Sequence, residues 1–170
     1  DLLRLSLENV AKPAAWIAGE HHPITVEPGV SVVEEGPNGH AALMFDAQAW
    51  AELPTLGLDS DTPFSIAMWV YQPEDEGNFV VVGQEDHENG TRGWSVSISQ
   101  RQLSLRLTGD PTGPGGAATT ARVGPINTKR MPTGEWTHIV LTHDGSAERG
   151  GLHIYRNGEL VEEQGSEYFA

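Results

Sequence analysis

The chain has 170 residues, with 10 Lys and Arg against 24 Asp and Glu, a formal net charge of −14 and no cysteine. This charge opposes binding to nucleic-acid phosphates or to an anionic membrane surface, so we expect neither partner. Without cysteine, disulfides, thiolate catalysis and Cys-ligated zinc are excluded. No apolar run approaches the roughly 18 residues that cross a bilayer, so no membrane insertion is expected.

In chain order, the apolar pattern alternates with the period of a strand rather than that of a helix. Leu2–Leu7 and Ile24–Val26 are predicted to form short strands. Ala41–Phe45 and Ala49–Leu53 are predicted to pair with each other around Asp46.

Three later stretches are apolar at consecutive positions: Pro63–Gln72, Asn78–Gly83 and Glu135–His143. A strand that is apolar on both faces is typical of a central position, covered on both sides. The pattern therefore predicts three central strands.

Two hairpins stand out because turn residues, as well as the two strands, can be recognised in the sequence. Gly93–Gly109 alternates apolar residues with serine and other polar residues around a turn at residues 100–101. His153–Val161 contains Asn157-Gly158, which suits a type I′ turn because both residues tolerate positive φ.

The polar stretch Glu85–Arg92 and the glycine-rich stretch Gly109–Thr120 are predicted to be loops. Many strands with short gaps, and no helical stretch, indicate an all-β fold of two antiparallel sheets packed as a sandwich. No internal linker divides the chain, so residues 1–170 are predicted to be one domain. Because the sequence starts at Asp1, we expect this domain to be cut from a larger protein.

Five segments carry a family resemblance: GHAALMFD (39–46), PFSIAMWV (63–70), GWSVSI with QLSLRL (93–107), WTHIVLTHDGS (136–146) and GLHIYRNGELV (151–161). In this order and spacing they resemble the laminin-G-like, or concanavalin A-like, jelly-roll domains. The run from PFSIAMWV to HDGSAERGGLHIYRNG (63–158) is most similar to laminin-G-like domains of large planctomycete proteins that also carry cytochrome-c modules. Family members continue to a further strand with an Ile-Asp-x-x-Arg-Ile-Tyr-like motif. That motif is missing here, so the last strand is expected to be lacking or the sheet to be completed differently.

The resemblance implies a binding module that recognises carbohydrate or a protein surface in an extracytoplasmic (periplasmic, cell-envelope or secreted) protein. A structural spacer that packs on neighbouring domains is the alternative. Glycoside hydrolases of the related fold need two nearby carboxylates, typically from Glu-x-Asp-x-x-Glu on one strand. No Glu-x-Asp occurs in this sequence. We therefore expect no enzyme, and a glycoside hydrolase is the least favoured alternative.

Carbohydrate binding requires exposed aromatic rings with hydrogen-bonding groups beside them. Trp16 and Trp50 have weak strand contexts and are the candidate stacking residues, with Asn89 and Arg92 as a ligand rim.

Other aromatic and polar residues are predicted to have structural roles. Trp69, Trp136 and His138 match core or packed positions of the family, and Trp94 alternates with apolar residues, so all four are predicted to pack inside. Asp144-Gly145-Ser146 is predicted to be a turn in which the carboxylate caps backbone amides.

Calcium is the one cofactor that the resemblance implies, because laminin-G-like domains often hold this ion with oxygen ligands. The candidate ligands are Asp46, Asp59, Asp61 and Asp86, which lie at predicted strand ends or turns. Capping of turns would account for the same aspartates, and both interpretations stay open at this point.

Overall fold

The computed structural model describes residues 3–6, 14–17, 20–46, 48–56, 62–73, 77–86, 88, 92–108, 120–123, 130–146, 151–161 and 167–169. The chain divides into two compact units, Asp1–Leu56 and Gly57–Ala170. The predicted Gly109–Thr120 loop lies outside the described residues, except for its last residue.

Short antiparallel ladders make up the first unit. Its strands are β1 (Leu3–Ser6), β2 (Ala14–Ile17), β3 (Glu20–Pro23), β4 (Thr25–Val26), β5 (Val30–Val33), β6 (Ala42–Phe45) and β7 (Ala51–Glu52), with a 3₁₀ turn at Pro37–Gly39. Strands β1, β2 and β3 form one sheet in that order, while β4 pairs with β7 and β5 pairs with β6.

The predicted pairing of Ala41–Phe45 with Ala49–Leu53 is wrong. The chain reverses at Pro37–Gly39, where Asn38 adopts a φ of 56°, so β6 folds back on β5 instead. Beyond that ladder, the Asp46 N–H donates to the Gly29 carbonyl at 2.9 Å. A turn does follow at Asp46, whose carbonyl accepts a hydrogen bond from the Ala49 N–H at 2.8 Å, but it leads to β7, which pairs with β4 and not with β6.

The second unit contains two larger sheets. Its strands are β8 (Phe64–Tyr71), β9 (Asn78–Asp86), β10 (Arg92–Ser99), β11 (Gln102–Thr108), β12 (Thr120–Val123), β13 (Trp136–His143), β14 (Leu152–Arg156), β15 (Glu159–Leu160) and β16 (Glu167–Phe169). A five-stranded sheet has the order β16-β12-β11-β10-β9, and a four-stranded sheet has the order β15-β14-β13-β8. All these pairings are antiparallel, as predicted.

The core of the second unit lies between these sheets. Val96, Ile98 and Leu105 of the five-stranded sheet are fully buried, as are Ile139 and Leu141 of the four-stranded sheet. The rings of Phe64 and Trp94 join the two sheets, with centroids 6.2 Å apart. Trp94 is 3% exposed, which confirms its predicted core position.

Both predicted hairpins are confirmed, including their turns. Gln100 and Arg101 have φ values of 49° and 66°, and Asn157 and Gly158 have 49° and 83°. Positive φ at both central residues is the property of a type I′ turn, whose twist matches that of the flanking strands.

Of the three strands predicted to be central, only β13 lies between two neighbours. Among the described residues, β8 pairs only with β13 and β9 pairs only with β10, so the central prediction is wrong for both. Strand β9 also extends through Glu85 and Asp86, which were predicted to be loop residues. Pairing of these residues with Gly93 and Arg92 keeps them in the ladder.

A β-bulge changes the exposure of the β9 side chains. Val82 pairs with Val96, but the next pair is Val80 with Ser97, so Val81 is the extra residue. An inserted residue reverses the side-chain alternation beyond it. Val80 therefore points to the outside and is 61% exposed.

Candidate functional site

Aromatic rings gather on the outer face of the four-stranded sheet, the side that points away from the five-stranded sheet. Trp69 lies opposite His138, and Tyr71 lies opposite Trp136, in the β8–β13 register. The ring centroids are 4.9 Å apart in the first pair and 5.4 Å apart in the second. We call these four residues the aromatic platform.

Side-chain alternation explains why the platform faces outward. Ile139 and Leu141 are fully buried, so the odd-numbered positions of β13 point into the core. Trp136 and His138 must then point the other way, together with their β8 partners.

The predicted packing of the platform residues is therefore partly wrong. Trp69 is 41% exposed, while Trp136 and His138 are half-buried. Tyr71 is 46% exposed. These rings, which match core positions of the family, are accessible here because they lie on the outer face of the four-stranded sheet.

The turn at Asn157 holds the backbone of His138 in place. The Asn157 N–H donates to the His138 carbonyl at 2.8 Å, and the His138 N–H donates to the Asn157 Oδ1 at 2.9 Å. The Asn157 side-chain oxygen thus takes the place of the backbone carbonyl that would accept this hydrogen bond if the β13–β14 ladder continued by one more residue pair.

The remaining outer-face positions of β8, β13 and β14 are small, polar or aromatic. They are Ser65, Ala67, Val140, Thr142, His153 and Tyr155. None of these positions, and none of the platform, carries Lys, Arg, Asp or Glu. The described face is therefore built for contact with uncharged groups, with histidine as its one titratable base.

The four sequence-predicted ligand residues are not those that define the platform. Trp50 lies in the first unit and is 51% exposed, and Trp16 lies in β2, where only the backbone is described. Arg92 opens β10 on the five-stranded sheet, opposite Asp86. Asn89 lies outside the described residues. A ligand role for these four residues stays a prediction.

A signal for the platform was present in the sequence. Trp69 and Tyr71 are two residues apart, as are Trp136 and His138, so each pair shares one face of its strand. The sequence does not show that this face of β8 points away from the five-stranded sheet, which is what leaves the rings accessible.

The acidic candidates are only partly visible. Asp46 is exposed beside Gly29, and Asp86 accepts a hydrogen bond from the Glu88 N–H at 3.1 Å, which is a capping contact. Asp59 and Asp61 lie outside the described residues. The described part of the chain contains no group of three His, Asp or Glu side chains that would suit a metal ion.

The predicted turn after β13 is confirmed. The Asp144 Oδ1 accepts a hydrogen bond from the Ser146 N–H at 2.7 Å. Donation from the Ser146 hydroxyl, and then from its N–H, lowers the pKa of the Asp144 carboxyl below the ordinary value of 3.8. The neighbouring His143 is buried with its ring 5.4 Å from that of Phe64, which is a packing position.

Two antiparallel sheets packed through an aliphatic core define a β-sandwich. A family model of the laminin-G type, described as the concanavalin A-like lectin/glucanases superfamily, matches residues 45–168. The chain belongs to this superfamily, which confirms the predicted concanavalin A-like fold. No curated protein shows significant similarity to the chain. No helix within the described residues is long and apolar enough to span a membrane.

Proposed function

We propose that this chain is a non-catalytic binding module that holds carbohydrate on the aromatic platform. The observation that carries this proposal is the exposure of Trp69, a large ring that is 41% accessible beside the His138 ring. Burying such a ring against a ligand gives a large gain in contact area at a small cost in side-chain entropy. Sugar rings present a flat C–H face that suits this surface.

The hydrogen-bonding groups around the rings support carbohydrate as the ligand. Tyr71 brings a hydroxyl, and His138 and His153 bring ring nitrogens, on the same face as the exposed rings. Sites that combine apolar walls with a few polar groups are typical for small polar molecules.

A non-catalytic role is proposed on the chemistry of the face. Hydrolysis of a glycosidic bond uses two carboxyl groups on either side of the bond. The described outer-face positions of β8, β13 and β14 carry no carboxylate, and the sequence has no Glu-x-Asp pair.

A protein-binding or spacer role is the second candidate, and β9 favours it. Phe79 and Val80 are 40% and 61% exposed on a strand that pairs only with β10 in the described part of the chain. An exposed apolar edge of this kind can be covered by a neighbouring domain.

The cellular location and the parent protein are proposed from the family resemblance. The laminin-G-like motifs agree with an extracytoplasmic domain of a larger protein, including the planctomycete proteins that also carry cytochrome-c modules. Calcium at the acidic turns is a further proposal, separate from the platform.

A glycan-array screen of the folded chain tests the function, with Trp69→Leu and Trp50→Leu as matched variants. Leucine keeps an apolar side chain and removes the stacking surface. We expect Trp69→Leu to abolish binding and Trp50→Leu to keep it. The opposite pattern would move the site to Trp50, and no binding by the folded protein would favour the spacer role.

A further inference from the structure

We infer that the platform binds a chain of neutral sugars, with two adjacent sugar units stacked along β8. This inference rests on the proposed function and specifies its ligand. The inference is based on two exposed rings, Trp69 and Tyr71, which lie on the same face of β8. Each of them contacts a ring of β13.

The spacing of the rings indicates two subsites. Residues two apart on a strand have side chains on the same face about 6.8 Å apart. This separation is comparable to the length of one pyranose unit along a glycan chain. Trp69 and Tyr71 can therefore each contact one of two consecutive sugars.

The exposure of the rings indicates the direction in which the ligand runs. Within each pair the β13 ring is half-buried and its β8 partner is more exposed, so the β8 rings are the accessible ones. A ligand that touches both accessible rings must run parallel to β8.

The charge of the surface selects neutral sugars. Acidic and sulfated glycans are bound through clustered Lys and Arg, which form charge-assisted pairs with carboxylate or sulfate. The described outer-face positions of β8, β13 and β14 carry neither residue, and the whole chain has a net charge of −14. An anionic glycan would meet long-range repulsion with no local compensation.

Calorimetric titration of the full chain tests this inference. The probes are β-linked gluco-oligosaccharides from the monosaccharide to the hexasaccharide, and sulfated oligosaccharides of equal length. We expect affinity to rise on the order of tenfold from the monosaccharide to the disaccharide, and less beyond it.

Two variants assign the subsites. Trp69→Leu and Tyr71→Leu should each remove the gain from the monosaccharide to the disaccharide, and Phe79→Leu, at an exposed ring of β9, should retain it. Near-ultraviolet circular dichroism confirms that each variant is folded.

Failure of this inference is distinguishable from failure of the proposed function. Affinity that does not depend on ligand length, or tighter binding of the sulfated series, would overturn the neutral two-subsite site and leave carbohydrate binding intact. No binding of any sugar by folded wild-type protein would overturn both.

Discussion

Asn157 and His138 exchange two hydrogen bonds although they lie 19 residues apart. The His138 N–H donates to the Asn157 Oδ1 at 2.9 Å, and the Asn157 N–H donates to the His138 carbonyl at 2.8 Å. One residue therefore makes the β14–β15 turn and also pairs with β13 at the platform. The turn and the position of the His138 backbone are physically linked.

Replacing Asn157 tests this link. We expect Asn157→Ala to lower the free energy of unfolding by about 1–2 kcal/mol, because alanine disfavours positive φ and leaves the His138 N–H without its acceptor. Asn157→Asp is the matched control, since aspartate keeps the oxygen and also suits a type I′ turn. Urea unfolding measures both, and equal losses in the two variants would contradict the proposed role of the oxygen.

Two glycines with positive φ should differ sharply in tolerance. Gly93 has a φ of 129°, and a Cβ there would collide with the Gln84 carbonyl oxygen, whereas Gly134 has a φ of 74° and nothing within 4 Å. We expect Gly93→Ala to cost about 3 kcal/mol or more, since the clash adds to backbone strain. Gly134→Ala should cost only about 1 kcal/mol. Similar unfolding midpoints for the two variants would argue against the close approach of β9 and β10 at Gly93.

The Asp144 turn should make a pH-dependent contribution to stability. Its pKa is lowered mainly by the Ser146 hydroxyl, so the charged carboxylate is favoured in the folded state. A depressed pKa stabilises the fold above the ordinary value of 3.8, and that contribution is lost as the pH falls through the folded-state pKa.

Denaturant titrations of wild type and Asp144→Asn over a range of pH measure this contribution. The difference in stability should be largest near neutral pH and should shrink as the pH falls below 3.8. Ser146→Ala should remove much of the same pH dependence, because it removes the hydroxyl donor. A wild-type advantage that is constant at every pH would contradict the assignment.

Chelation of calcium separates the platform from the acidic turns. We expect glycan binding to be unchanged by EDTA, because the described platform side chains include no carboxylate for a hard cation. The measurement is the array screen repeated with calcium and with EDTA. If EDTA abolishes binding, the site moves to the acidic turns, and Asp46→Asn and Asp86→Asn become the variants to compare.

Local features of the fold were predictable because they depend on residues close together in the chain. The alternation around Trp94 places its side chain in the core, and Asn157-Gly158 makes a type I′ turn wherever its flanking strands pair. The capping turn at Asp144 follows for the same reason, since its donor is two residues away.

One error was local: β6 pairs with β5 across the reversal at Pro37–Gly39, where Asn38 has a φ of 56°. The other errors arose where the outcome depends on residues far apart in the chain. The apolar run in Pro63–Gln72 correctly predicts a strand. It does not show which face of the strand is covered, because apolar residues on a covered face and on an exposed face look the same in the sequence.

The sequence by itself therefore determined the all-β class, the two hairpin turns and which side of β10 and β11 faces the core. The strands and their core side depend on side-chain periodicity, and the turn at Asn157-Gly158 depends on the φ preference of two residues. Only the tertiary structure decided that β8 pairs with β13 in this register, with its Trp69 face turned away from the core. Strand order and register come from the packing of whole sheets, and these place Trp69 beside His138 with its ring exposed. The candidate site is a property of that arrangement, which no local stretch of the sequence contains.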